Sequence, residues 1–160
     1  MAYVDKMNKQ AFYTELHRDL TALISAENDL IATLANSCAL LFERLEDVNW
    51  VGFYLLQSDV LVLGPFQGKI ACTRIPVGRG VCGTAVVENK IQRIDDVHKF
   101  AGHIACDSAS NAEIVLPVYS GNDIIGVLDI DSTVFNRFDN DDESGLKALA
   151  AVLSKHISQG

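Results

Sequence analysis

Residues 49–67, NWVGFYLLQSDVLVLGPFQ, decide how the rest of the chain is read. Both halves, NWVGFYLLQ and VLVLGPFQ, are rich in aromatic and branched side chains, which suit a pleated, half-buried surface. Ser58-Asp59 between them has turn chemistry, so the stretch predicts a β-hairpin. On its N-terminal side the apolar period is helical. Phe12, Leu16 and Leu20, then Leu23 and Ile24, mark one amphipathic helix from Lys9 to about Ile24. Leu30, Ile31, Leu34, Ala35, Cys38, Leu41, Phe42 and Leu45 mark a second, with Ser25 offered as its N-cap and Glu27 and Asp29 suited to its positive end. Residues 1–8 are expected to form a flexible arm.

After the hairpin a third strand is expected over Ile70–Ile75. Pro76 and three glycines interrupt regular structure before a short helix over Cys82–Asn89. IQRI predicts a brief strand, and Asp95–Ser110 a long polar loop of the kind that usually carries function. Glu113–Tyr119 and Ile124–Ser132 predict strands around Gly121-Asn122, and Asp139 is placed to cap a last helix with Leu146, Leu149, Val152, Leu153 and Ile157 on its apolar face. Helix, helix, strands, loop layer, strand pair, helix is an α+β order. It predicts one domain over residues 1–160, an antiparallel sheet of five to six strands with helices on one face and a loop layer closing a pocket on the other.

The 160 residues are 49% hydrophobic, and 13 basic against 21 acidic residues leave a net charge of −8. A chain this long can bury roughly 70% of its unfolded surface and needs no covalent staple. Its charge repels nucleic-acid backbones and anionic lipid. No apolar run approaches the ~20 residues of a membrane span, and MAYVDKMNKQ lacks the apolar core of a signal peptide. The expectation is a cytoplasmic protein that binds neither nucleic acid nor membrane. In a reducing compartment four cysteines suggest catalysis, metal binding or packing before structural disulfides. Cys38, on the helical stripe, is expected to be a small core hydrophobe.

Cys72, Cys82 and Cys106 are a different matter. They lie 10 and 24 positions apart around PVGRGVCGTAV and the long polar loop, and are read as one redox site. Zinc is not favoured: of Cys72, Cys82, His103 and Cys106, only the last two have the short spacing of structural zinc ligands. The G-x-G-x-x-G of residues 78–83 has no βαβ context and is better read as a tight turn. Asp139, Asp141 and Glu143 imitate a calcium loop, but Ser144 and Ala150 stand where its glycine and bidentate glutamate belong. Asp129 and Asp131, two apart in a strand, share a face. A three-residue turn at residues 120–124 would bring Glu113 across from Asp131 on that face, whereas a two-residue turn would put it on the other. Three crowded carboxyls would raise at least one pKa and leave a proton donor near neutral pH. With thiols beside them, they form a set able to reduce an electrophilic sulfur: a thiolate nucleophile, an acid, and a second thiol to resolve a sulfenic acid.

NWVGFYLL, GPFQGKIAC, RIPVGRGVCGTA, DVHKFAGHIACDSASNAEIVLP and IIGVLDIDS together resemble the GAF-domain free methionine-(R)-sulfoxide reductases over nearly the whole chain. The resemblance implies a GAF-like fold and reduction of free L-methionine-(R)-sulfoxide. It implies Cys106 as the nucleophile, Cys72 as the resolving thiol that forms a disulfide with it, and Cys82 as a further exchange cysteine. Glu113, Asp129 and Asp131 would bind substrate and handle protons, while Trp50 and Tyr54 would wall the pocket around its methyl end. No bound cofactor or metal is implied. Thioredoxin, supplied by NADPH through thioredoxin reductase, would be the electron donor, and the resemblance leaves room for a homodimer. The alternative is a GAF module that binds a small ligand without chemistry, but a sensor is expected to carry an output domain and none fits after Lys155.

Overall fold

A computed structural model of the chain describes residues 6–102 and 109–160. Helix α1, Lys6–Ile24, begins inside the expected arm, and α2 spans Leu30–Arg44. Ser25 does not cap α2. Its hydroxyl donates back to the Ala22 carbonyl at 3.0 Å, because Ser25 still belongs to the end of α1. Asp29 takes the cap instead, accepting from the Ala32 amide at 2.9 Å, where a carboxylate satisfies an orphan N–H at the positive helix end. No described helix is long and apolar enough to cross a membrane.

The hairpin forms as β1, Trp50–Gln57, and β2, Val60–Gly68, with Ser58 at φ 58° in its turn. The expected third strand is shorter: β3 is only Arg74–Pro76. Residues 69–73 do not form a strand, and the Lys69 and Cys72 carbonyls accept side-chain hydrogen bonds from β1. Helix α3, Gly80–Glu88, is closed by Asn89 in the left-handed conformation. Gly78 and Gly80 both have positive φ, 90° and 62°, so the glycine run is a tight turn. Strand β4, Gln92–Ile94, is followed by a single 3-10 turn, Val97–Lys99, within the expected loop. Strands β5, Ala112–Ser120, and β6, Asp123–Ser132, and helix α4, Asn140–Gln159, complete the chain.

Among the described residues the six strands form one antiparallel sheet, in the order β3-β2-β1-β6-β5-β4. Helices α1, α2 and α4 cover one face. Leu16, Leu20, Leu41, Leu146 and Leu149 pack there on Val51, Phe53, Ile114, Leu116, Leu128 and Ile130. Cys38 is fully buried in this core, its thiol donating to the Pro65 carbonyl at 3.3 Å. Burial pushes that thiol up to about 12, so it behaves as the expected core residue. The other face carries a smaller core of Trp50, Tyr54, Leu61, Ile75, Val81, Cys82, Ala85, Val115 and Val127, covered by α3 and the flanking loops. The fold is the α+β arrangement expected, with α3 as part of the loop layer.

Two bulges set which side chains reach that second face. The β5–β6 turn has two residues, Gly121-Asn122, which by itself would have put Glu113 on the helix face. The register shifts between Val118 and Tyr119, leaving Ile125 as an extra residue on β6, and Glu113 ends opposite Asp131. A bulge therefore does what a three-residue turn was expected to do. In β2 the register slips between Gly52 and Tyr54, so that Gly64 and Pro65 together oppose Phe53. A proline is tolerated at such a bulge. The slip turns Phe66 to the side of Trp50.

Candidate active site

The sheet register builds the site in rows. Trp50, Asp131 and Glu113 lie side by side across β1, β6 and β5, and Gly52, Asp129 and Val115 form the next row. Every one of these positions faces the smaller core, since successive rows two residues apart share a side. Glu113 is 7% exposed and Asp129 6% exposed, while Asp131 is half-buried.

Above the acids stands α3, whose first turn carries Cys82. A Cys82 Sγ, a Glu113 carboxylate oxygen and an Asp129 carboxylate oxygen all lie within 4.8 Å of one another. Asp129 Oδ1 is buried and accepts no hydrogen bond among the described residues. Its nearest polar neighbours are themselves acids and a thiol, which can satisfy it only by carrying a proton. The consequence is electrostatic. Burial, then the neighbouring Asp129 charge, pushes the Glu113 carboxyl well above its ordinary value. Burial, then Asp131, does the same to Asp129. Burial, then Asp129 and Glu113, raises the Cys82 thiol. The Tyr54 phenol, also held up by burial and by the Asp129 charge, remains neutral. The cluster is thus built to hold protons above the ordinary carboxyl range or to receive a cation.

The aromatic wall is organised on glycine. The Trp50 indole lies across Gly52 and Gly68: a Cβ at Gly52 would meet Trp50 Cζ3 and Phe66 Cβ at 2.6 Å, and one at Gly68 would meet Trp50 Cδ1 at 2.6 Å. Phe66 stacks on Trp50 with ring centroids 5.3 Å apart, and Tyr54 stacks at 5.9 Å. Trp50 Nε1 donates to the Lys69 carbonyl at 3.0 Å, and the Tyr54 hydroxyl donates to the Cys72 carbonyl at 3.0 Å. The two aromatic side chains expected to wall a pocket therefore also hold the segment that bears Cys72.

Cys72 is half-buried beside the same core and is disulfide-bonded, whereas Cys82 keeps a free thiol. Cys106 and His103 lie outside the described residues. The flanks of their loop are anchored: the Val97 amide donates to the Asn111 carbonyl at 2.9 Å and the Asn136 amide to the Asp95 carbonyl at 3.0 Å. Of the positions read from the sequence, Trp50, Tyr54, Cys72, Cys82, Glu113, Asp129 and Asp131 meet on one side of the sheet. Two contributors were not foreseen, Phe66 and the bare surface of Gly52. Strict alternation from Leu61 and Leu63 puts Phe66 on the helix side; Pro65 inside a strand pattern is the one signal that a bulge reverses it.

The GAF domain family matches residues 29–157. Free methionine-R-sulfoxide reductase of Escherichia coli is 68% identical over 152 residues, 95% of this chain and 92% of that protein. The structure of free methionine-R-sulfoxide reductase from Neisseria meningitidis in complex with its substrate superimposes with a TM-score of 0.91 at 43% identity, covering 99% of this chain and 97% of the other. The Staphylococcus aureus fRMsr structure in complex with substrate gives a TM-score of 0.87 at 50% identity, covering 91% and 95%.

Proposed function

Because the chain belongs to the GAF-domain family of free methionine-R-sulfoxide reductases, we propose that it is an oxidoreductase that reduces free L-methionine-(R)-sulfoxide to methionine with its own thiols. The observation that carries the reading is the buried carboxyl group of Glu113 and Asp129, with Asp131 at its edge, on the same side of the sheet as a disulfide-bonded Cys72 whose carbonyl Tyr54 holds. Such a group can hold the substrate ammonium with one charge and lend a proton from another.

In this mechanism the Cys106 thiolate attacks the sulfoxide sulfur while the carboxyl cluster delivers a proton to the departing oxygen. The protonated oxygen passes from the substrate sulfur to the Cys106 sulfur as the bond between the two sulfurs breaks, so that methionine leaves and Cys106 becomes a sulfenic acid. The Cys72 thiol then attacks that sulfur, forming a Cys72–Cys106 disulfide and releasing water. That Cys72 is disulfide-bonded while Cys38 and Cys82 are free thiols supports Cys72 over Cys82 as the resolving residue. A dithiol reductant, thioredoxin, restores both thiols at the cost of its own pair, and this recycling suits a cytoplasmic enzyme. Trp50, Tyr54 and Phe66 enclose the S-methyl end, and a pocket closed by the loop layer favours a free amino acid over a residue within a peptide.

The test is NADPH oxidation coupled through thioredoxin, with R and S sulfoxides both free and peptide-bound. Turnover is expected with the free R form. Cys106→Ser should abolish it, and Cys72→Ser should allow one round of methionine release without recycling by thioredoxin. Full activity in Cys106→Ser overturns the nucleophile assignment; binding of the sulfoxide with no methionine released would instead identify a ligand-binding module.

A further inference from the structure

Cys82, Glu113 and Asp129 bring a sulfur and two carboxylate oxygens within 4.8 Å of one another, and none of the three residues is more than 7% exposed. A thiolate and two carboxylates are a donor set for a borderline-soft divalent cation. Tetrahedral zinc has Zn–S near 2.3 Å and Zn–O near 2.0–2.2 Å, which puts ligand atoms about 3.5 Å apart. Side-chain rotation has then to close at most about 1.3 Å. Asp129 Oδ1, buried and accepting no hydrogen bond among the described residues, is an independent sign that a positively charged or proton-bearing group is wanted there. The ligands also come from rigid elements: Cys82 from α3, Glu113 from β5 and Asp129 from β6, the last two fixed by the sheet register.

We propose that Cys82, Glu113 and Asp129 form a three-donor site for zinc, and that zinc bound there excludes the substrate ammonium. The site differs from the cysteine and histidine set considered from the sequence, since Cys72 is disulfide-bonded and only Cys82 is shared. Binding forms one metal–sulfur and two metal–oxygen bonds, and the thiol proton together with any protons held by the two carboxyls passes to buffer. The fourth position stays open to water, as in three-ligand zinc sites. Zinc binding rests on this geometry alone, and only the competition with substrate depends on the function proposed above.

The full-length Cys72→Ser/Cys106→Ser protein tests the site, since Cys38 is sealed in the opposite core. Cobalt titrated into it should produce a near-ultraviolet thiolate-to-metal band that zinc displaces, and Cys82→Ala in the same background should remove the band. Competition with a zinc indicator dye should show Asp129→Asn and Glu113→Gln each weakening zinc by more than the roughly tenfold cost of an outer-shell change, with folding checked by circular dichroism. Methionine sulfoxide should raise the apparent zinc dissociation constant. A band that survives Cys82→Ala, or unchanged zinc affinity in both folded carboxyl variants, overturns the site. Zinc binding in a protein without reductase activity would leave the site standing and count against the function; activity without zinc binding would do the reverse.

Discussion

Asp129 shows what a buried acid costs a fold. It sits in the middle of β6 at 6% exposure beside Glu113, where an apolar side chain would pack without penalty. Both carboxyls have folded-state pKa values well above normal. In the window from about pH 4, where unfolded carboxyls ionise, up to those raised values, the folded state keeps protons that the unfolded chain has released. Stability therefore falls as pH rises through this window. Asp129→Asn is expected to flatten that slope and to raise the melting temperature at pH 7 by roughly 2–4 °C, the equivalent of about 1 kcal/mol in a chain of this size. The same change should cut turnover by about a hundredfold or more through loss of proton handling. Thermal unfolding between pH 5 and pH 8 checks the first half, and identical slopes in the two proteins would refute it. Asp129 and Asp131 were legible from their period-2 spacing inside an otherwise apolar strand, because buried acids break the pattern visibly. Gly52 and Phe66 were not, because the approach of the Trp50 ring to Gly52 and the bulge that turns Phe66 are set by how β1 and β2 pair.

Elements add what single residues cannot specify. The start of α4 looked like a solvated run of acids, and Asp139 does cap it, accepting from the Asp141 and Asp142 amides at 3.0 Å. Burial works against the Asp139 charge, but hydrogen bonds from Lys9 and the Asp142 amide outweigh it and hold its carboxyl at about 2. Asp142, the residue the sequence did not single out, proves to be the tie between elements. It is 1% exposed, accepts from the Tyr13 hydroxyl at 2.7 Å, from Lys9 Nζ at 2.8 Å and from the Asp139 amide at 2.9 Å, and pairs with Arg137 at 3.3 Å. Asp142→Asn removes the charge that two cations face and should destabilise the protein by about 3 kcal/mol. That corresponds to a fall of roughly 6–12 °C in melting temperature. Removing Lys9 in the same background should then cost less than it does alone, since the two share one network; strict additivity would show that they act separately. The buried member of the acidic run could not be told from its neighbours, because its burial comes from α1 and from Arg137, more than 100 residues apart in sequence.

At the scale of the molecule, one sheet separates two cores with different duties. The helix side is a continuous apolar layer, while the site side mixes aromatic rings, a thiol and acids under short elements tied down by a few hydrogen bonds. Amide hydrogen exchange should follow this division, slowest at Val51–Phe53, Ile114–Leu116 and Leu128–Ile130 and faster at residues 69–72, where side chains rather than a ladder hold the chain. Equal protection in the two regions would show that Trp50 and Tyr54 clamp the Cys72 segment as firmly as a strand. The sequence by itself determined the α+β order, the hairpin, the last helix with its cap, and which residue types could do redox and proton chemistry, because periodicity and turn composition are local properties of a chain. Which of those residues meet was decided by the tertiary structure. The face of Glu113 depends on the extra residue Ile125, the face of Phe66 on the bulge at Gly64-Pro65, and the protonation of the cluster on burial under α3. A one-residue change of register reverses every side chain beyond it, and nothing within a strand's own sequence reports how its neighbour is aligned. The hairpin NWVGFYLLQSDVLVLGPFQ was therefore readable as a hairpin, but its role as a glycine-floored aromatic wall appeared only when the two strands were paired.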